Sequence, residues 1–205
     1  MSSLDRDKYA EVLRYLLSSE ANNDKLGKVK LMKLLYYADF DHYAAHRQSL
    51  TGDRYFKLPY GPVPSKAEEI LEDMCQRELL TIGQKPRYQY LRYVYRLPDG
   101  SYYREKSSLK DHEKATLDAV IAKWKAHSTQ EIVTASHGEP AWQMADFGAP
   151  IPYSYALYRS QVCTQDEEIG LKESLSDSYA GRLRDVTPQT WRRLRSIVGR
   201  RGGRP

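Results

Sequence analysis

The sequence lacks most features that would assign it to a specialised class of protein. Its 205 residues include only two cysteines, Cys75 and Cys163, which are far apart and form no CxxC pair. We therefore expect two reduced thiols in a cytoplasmic protein. No apolar run approaches the roughly 20 residues of a membrane helix, and the first residues show no signal-peptide pattern. We expect no membrane partner.

Catalytic and phosphate-binding motifs are also missing. The sequence has no GxxxxGK[ST] or GxGxxG loop and no serine in a GxSxG turn. Cys75 follows Met74 on the predicted inner face of a helix, so we interpret it as a core residue rather than a nucleophile. The sequence predicts no enzyme, no catalytic residue and no cofactor.

Positive charge is concentrated at one end of the chain. The formal net charge is +5, but residues 181–205 hold eight arginines and one aspartate, which leaves −2 for the first 180 residues. A polyanionic partner is therefore expected at this end of the chain first. The arginines predicted to contact nucleic acid or an acidic partner are Arg182, Arg184, Arg192, Arg193 and Arg195.

The sequence is rich in amphipathic helical patterns. Apolar residues recur at helical spacing over 7–19, 27–47, 65–80, 110–126 and 129–137. The second of these segments is apolar around most of its circumference, which is typical of a helix at the centre of a fold. Ser65 with Glu68 resembles a capping box, and Thr129 is a candidate N-cap.

Strand patterns are fewer. Residues 50–58 predict a turn and a short strand, whereas three prolines within 59–64 predict no regular structure. Alternation over 87–97, followed by a Pro98–Gly100 turn, predicts a β-hairpin with its return strand starting at Ser101.

The predicted fold class is mainly α with a small antiparallel β element (α+β). A single compact helical domain with a strand and a β-hairpin is expected over 1–159. A basic C-terminal extension, partly helical and partly disordered, is expected over 160–205.

One helix carries a pattern that metal ions accept. Asp39, His42 and His46 fall on one face of the 27–47 helix, and histidines at i and i+4 can bind zinc or iron. No fourth ligand or HExxH-type glutamate is apparent nearby. We therefore interpret the two histidines as the solvated edge of the helix and predict no metal; a metal-dependent enzyme is the less favoured alternative.

Nucleic-acid binding is a second alternative. Tyrosines and arginines alternate in the predicted hairpin and could stack on bases and neutralise phosphate, with Trp191 and its neighbouring arginines adding to this. The charge of −2 on the rest of the chain argues against it. A DNA-binding transcriptional regulator using hairpin and tail therefore remains an alternative function.

Residues 30–64 resemble the signature of a known family. The segment KLMKLLYYADFDHYAAHRQSLTGDRYFKLPYGPVP is similar to that of the Panacea, or SocA-like, antitoxin domain: a Lys-Leu-x-Lys-Leu-Leu-Tyr helix, a histidine, a Gly-Asp turn and a strand ending in Tyr-Gly-Pro-Val. Residues 109–142, which include His137 and Trp142, are similar to the second block of the family.

The resemblance implies an antitoxin without catalytic residues. Members neutralise a cognate toxin encoded next to them, usually by direct protein–protein binding, and one branch hands its toxin to an AAA+ protease. Binding to operator DNA is compatible with this role. The residues predicted to shape the partner-binding surface are Asp39, His42, Asp53, Arg54, Tyr55, Tyr60 and Trp142.

Overall fold

The computed structural model describes residues 4–19, 26–87, 90–98 and 107–160. The chain separates into two units, Met1–Arg159 and Ser160–Pro205, so the description below concerns the first. The predicted return strand at Ser101 and the basic extension lie outside the described residues and stay predictions.

The described part of the chain is mostly helical. Its α-helices are α1 (Arg6–Ser19), α2 (Lys28–His46), α3 (Ala67–Gln76), α4 (Asp111–Trp124), α5 (Thr129–Gly138) and α6 (Pro140–Met144), and a 3-10 helix covers Tyr153–Ser160. No helix in these residues is both long and apolar enough to cross a membrane.

Five short strands complete this part of the fold. They are β1 (Tyr55–Leu58), β2 (Gly61–Pro64), β3 (Thr81–Arg87), β4 (Tyr90–Arg96) and β5 (Pro150–Ile151). One antiparallel sheet has the order β2-β1-β5, and β3 and β4 form a two-stranded sheet. The predicted class, mainly α with small antiparallel sheets, is confirmed.

Helix α2 lies at the centre of the described fold. Its buried residues include Leu31, Leu34, Leu35 and Phe40, and it contacts α1, α4, α5 and β2. A helix that is covered on all sides must be apolar around its circumference, which is the pattern that the sequence shows. The helix ends at Arg47, whose φ of 59° is left-handed and whose N–H donates to the Tyr43 carbonyl.

The prediction that 59–64 has no regular structure was wrong. Gly61–Pro64 forms strand β2, in which Pro62 pairs with Lys57 and Pro64 with Tyr55. Strand β2 is at the edge of its sheet, where a proline lacks only a donor that the next strand would have used. The prolines therefore mark an edge strand and do not prevent a strand.

The predicted capping box of Ser65 and Glu68 was also wrong. Helix α3 begins at Ala67, and no side chain of its own caps it. Instead Asp53, from the preceding turn, accepts hydrogen bonds from the Ser65 hydroxyl at 2.6 Å and from the Lys66 N–H at 2.9 Å. The helix stops at Gln76 rather than at Leu80.

The hairpin strand was predicted with the wrong partner. Tyr90–Arg96 is a strand, but it pairs with the preceding segment Thr81–Arg87. The isoleucine, threonine and glycine of β3 alternate poorly, which is why the sequence did not indicate a strand there.

Two smaller differences affect the end of the domain. Helix α5 is capped by Ser128, which accepts from the Glu131 N–H, and not by Thr129. Strand β5 was not predicted, because a strand of two residues leaves no periodicity to detect.

Candidate functional site

The two lysines of the signature helix donate to backbone carbonyls inside the protein. Lys33 is buried, and its Nζ donates to the Pro62 carbonyl at 2.6 Å. Lys30 is buried as well and donates to the His127 carbonyl at 2.8 Å, just beyond the end of α4. Burial lowers the pKa of Lys33 to about 7. The Lys-Leu-x-Lys pattern thus joins α2 to β2 and to the α4–α5 connection.

Gly61 allows the β1–β2 turn to approach α2 and α5. Its φ of +90° is left-handed, and a Cβ there would lie 2.5 Å from Ser136 Oγ and 3.0 Å from Lys33 Cε. Only glycine satisfies both conditions without a shift. The Tyr-Gly-Pro-Val sequence therefore fixes where the Pro62 carbonyl meets Lys33.

Asp39 joins α2 to the turn that precedes β1. Its carboxylate accepts from the Thr51 N–H at 2.9 Å, the Thr51 hydroxyl at 2.5 Å and the Tyr55 hydroxyl at 2.7 Å. Complete burial raises the pKa of Asp39 to about 6, although these hydrogen bonds oppose the shift.

Asp53 collects four donors from three parts of the chain. Besides the Ser65 hydroxyl and Lys66 N–H, it accepts from the Tyr9 hydroxyl at 3.0 Å and its neighbour's N–H, that of Arg54, at 2.7 Å. Its own carbonyl accepts from the Tyr153 hydroxyl at 2.6 Å. The Gly-Asp turn thus holds α1, α3 and the 3-10 helix together.

The structure separates the seven residues predicted to shape the partner surface into two groups. Two of them reach solvent: Arg54 is exposed and Tyr60 is partly exposed. The other five are buried: Asp39, His42, Asp53, Tyr55 and Trp142. Buried side chains act on a surface by positioning it, so direct contact with a partner stays a prediction for Arg54 and Tyr60.

An exposed apolar surface, which sequence reasoning missed, lies next to Tyr60. Lys57 N–H donates to the Ala149 carbonyl, and the Gly148 N–H donates to the Lys57 carbonyl. This pairing brings the segment after α6 to the same end of β1 as the β1–β2 turn. Phe147 and Met144, both in this segment, are 61% and 48% exposed.

Lys57 and Trp142 lie beneath this apolar surface. The Lys57 ammonium is 4.2 Å from the centroid of the Trp142 ring and donates to the Ala145 carbonyl at 3.0 Å. The contacts fix the chain direction after α6. We call the residues Lys57, Tyr60, Met144 and Phe147 the turn surface.

A cluster of three histidines lies on α2 and α4. His42 is buried and stacks with His112 at 5.2 Å between ring centroids, and His46 lies 4.5 Å from His42 and 4.8 Å from His112. Burial and the neighbouring rings lower the pKa of His42 to about 4. Asp39, which the sequence grouped with His42 and His46, instead binds Thr51 and Tyr55.

Comparison with protein families defines the class of protein. The model of the family described as "Antitoxin SocA-like, Panacea domain" matches residues 31–143, which is more than half of the chain. The protein therefore belongs to the SocA-like antitoxin family and carries a Panacea domain, as the resemblance predicted. No curated protein and no solved structure matches the chain.

Proposed function

We propose that this protein is a cytoplasmic antitoxin that binds its cognate toxin directly and neutralises it. The family match over residues 31–143 carries the proposal. The contacts of the matched residues support a binding role. Lys33, Asp39 and Asp53 are spent on holding the domain together, so we assign them no catalytic role.

The turn surface is the region that we propose contacts the toxin. Large apolar side chains that reach solvent next to a rigid backbone are typical of binding hot spots. Phe147 and Met144 provide such side chains, and the pairing of Lys57 with Ala149 and Gly148 holds them on the sheet. Little ordering entropy is then lost when a partner binds.

Co-expression with the open reading frame next to this gene tests the proposal. We expect that frame to arrest growth alone and growth to return when this protein is present. A neighbour that is harmless alone, or that stays toxic in the presence of this protein, contradicts the antitoxin role.

Matched variants test the surface separately. Phe147→Asp and Met144→Asp should abolish rescue, whereas Val29→Asp should not, because Val29 is an exposed apolar residue of α2 outside the turn surface. Circular dichroism melting curves should match for all three. Full rescue by Phe147→Asp would move the toxin contact elsewhere and leave the antitoxin role intact.

Transfer of the toxin to an AAA+ protease is a second way in which neutralisation could occur. An immunoblot of the toxin during co-expression distinguishes the two. Simple inhibition predicts that toxin persists in a complex, and proteolytic transfer predicts that toxin disappears unless the protease gene is deleted.

DNA binding is a further role that the charge distribution supports. Residues 181–205 carry +7, a charge that suits phosphate contacts. We propose operator DNA as the polyanion and expect steep loss of affinity with rising salt. Removal of residues 161–205 should abolish this affinity; unchanged binding by the shortened chain would exclude the tail as the contact.

A further inference from the structure

Three of the five histidines in the sequence meet at one place in the fold. His42 and His46 are four residues apart on α2, and His112 is the second residue of α4. Their ligand nitrogen atoms all lie within 4.8 Å of one another. Histidines at i and i+4 on a helix are a spacing that metal sites use, and the other helix supplies a third ligand.

The hydrogen bonds around His42 leave its second nitrogen able to bind a metal. His42 Nδ1 lies 3.0 Å from Thr116 Oγ1, and the Thr116 hydroxyl donates its one proton to the His112 carbonyl at 3.0 Å. Thr116 Oγ1 must therefore accept from Nδ1–H. The lone pair of His42 then lies on Nε2, and the threonine orients the ring as outer-shell partners of metal ligands do.

We propose that His42, His46 and His112 bind a divalent transition-metal ion, with zinc as the representative of its class. Three imidazoles suit Zn²⁺, Co²⁺, Ni²⁺ and Cu²⁺, whereas Mg²⁺ and Ca²⁺ require oxygen ligands. The site goes beyond the antitoxin role and does not depend on it.

The surroundings permit a metal to enter and stay. His46 and His112 are exposed and His42 is buried, so the ion would lie at the surface with one position open to water or to a partner's side chain. Zinc–nitrogen bonds of about 2.0–2.1 Å require nitrogens about 3.4 Å apart. Rotation of the two exposed rings can supply this approach. Nearby, Glu113 forms an ion pair with Lys8 at 2.5 Å, so these two charges offset one another.

The bound ion would connect α2 to the start of α4. These helices are more than 60 residues apart in sequence and pack side by side. An ion that binds only the folded chain stabilises it in proportion to the logarithm of its concentration. Stabilisation of the α2–α4 contact by metal is therefore the expected effect.

Titration of the untagged, full-length protein after chelator treatment tests the site. We expect one equivalent of Zn²⁺ by calorimetry, visible Co²⁺ absorption bands of a low-coordinate nitrogen site, and a melting temperature that rises with Zn²⁺ but not with Mg²⁺. His112→Gln and His46→Gln, at exposed positions, should weaken binding by more than about 100-fold, beyond the 10–100-fold typical of losing an outer-shell partner.

Two further variants distinguish a built site from chance binding. Thr116→Val should weaken Zn²⁺ binding about 10–100-fold while the ligands remain. His127→Gln, a matched change at an exposed histidine outside the cluster, should bind as the unmodified chain does. Binding below one equivalent, His112→Gln with unchanged affinity, or equal loss in His127→Gln would each overturn the proposal.

Discussion

Four charged side chains of the signature segment lie in the interior of the protein. Lys30, Lys33, Asp39 and Asp53 are all buried, and the contacts described above are to carbonyls, N–H groups and hydroxyls. Removal of a buried polar group leaves its partners without a hydrogen bond, which costs more than the bond itself contributes. At the residue scale, these four positions should therefore be sensitive to substitution.

Lys33 predicts a rise in stability with pH. Its pKa is about 7 in the folded chain against 10.5 as the model value, so between these values the unfolded chain holds a proton that the folded chain has released. Stability from this group is complete above pH 10.5 and is lost as pH falls through 7. Lys33→Met should remove up to about 1.4 kcal/mol per pH unit from the slope between pH 7 and 9.

Urea unfolding of both proteins across this pH range measures the slope. Lys110→Met, at an exposed lysine, should keep the slope of the unmodified chain. Parallel curves for the unmodified chain and Lys33→Met would show that Lys33 does not titrate in this range.

Asp53 should be the most sensitive carboxylate of the turn. Asp53→Ala leaves the Tyr9 and Ser65 hydroxyls and two N–H groups without their acceptor, so the free energy of unfolding should fall by about 3–5 kcal/mol. Asp53→Asn keeps one acceptor oxygen and should lose about 1–3 kcal/mol.

Denaturant unfolding measures these differences. Asp146→Ala is the matched control, because Asp146 is exposed, and it should change stability by less than about 0.5 kcal/mol. An effect of Asp53→Ala no larger than that of the control would mean that solvent replaces the four hydrogen bonds.

Sequence reasoning located the important residues but not their surroundings. It selected Asp39 and Asp53 from the signature, yet whether a carboxylate faces solvent depends on donors elsewhere, such as Tyr9, 44 residues before Asp53. His112 was missed for the same reason, since nothing near it in sequence indicates that two histidines of α2 lie beside it. Such groupings exist only after the helices have packed.

At the scale of elements, the β1–β2 turn determines how the small sheet meets the helices. Gly61 lies where the turn contacts Ser136 of α5 and Lys33 of α2. A substitution there combines two penalties, backbone strain and steric overlap. The chain contains glycines that separate the two.

Three glycine-to-alanine variants measure those penalties. Gly61→Ala should cost about 2–4 kcal/mol, from its left-handed φ and from the 2.5 Å overlap with Ser136 Oγ. Gly148→Ala has a φ of +76° but open space, so about 1–2 kcal/mol is expected. Gly83→Ala has neither constraint and should be neutral within about 0.5 kcal/mol.

Thermal or urea unfolding of the three variants gives the order directly. Equal losses in Gly61→Ala and Gly148→Ala would show that the overlap relaxes at no cost. A Gly61→Ala variant as stable as Gly83→Ala would contradict the packing of the turn.

Elements with a long periodic pattern were predicted well, and short ones were not. Helices α1, α2, α4 and α5 were predicted because each has a recurring apolar face. Strand β2, with its prolines, and strand β5, with two residues, depend on pairing with β1 rather than on their own sequence. Pairing across the chain is what a local pattern cannot show.

At the scale of the whole molecule, we expect residues 1–160 to fold without the rest. The core described here closes within the first unit, and Arg159 bonds to Asp41 of α2 and to Glu139 at the start of α6. A chain ending after Ser160 retains these contacts. Its unfolding should be cooperative, with a melting temperature close to that of the full chain.

Calorimetry of the two chains checks this boundary. A chain ending after Tyr158, which lacks Arg159, is the control and should melt at a lower temperature. Loss of cooperative unfolding in the 1–160 chain would show that the first unit depends on residues 161–205.

The placement of the signature residues has a consequence for changing the partner of such a protein. Because Lys33, Asp39, Asp53 and Gly61 fix the scaffold from within, they can be held constant while Tyr60, Met144 and Phe147 are varied in a library. Family membership and toxin choice would then be encoded by separate sets of residues. A single stable domain could serve as the starting point for binders to unrelated targets.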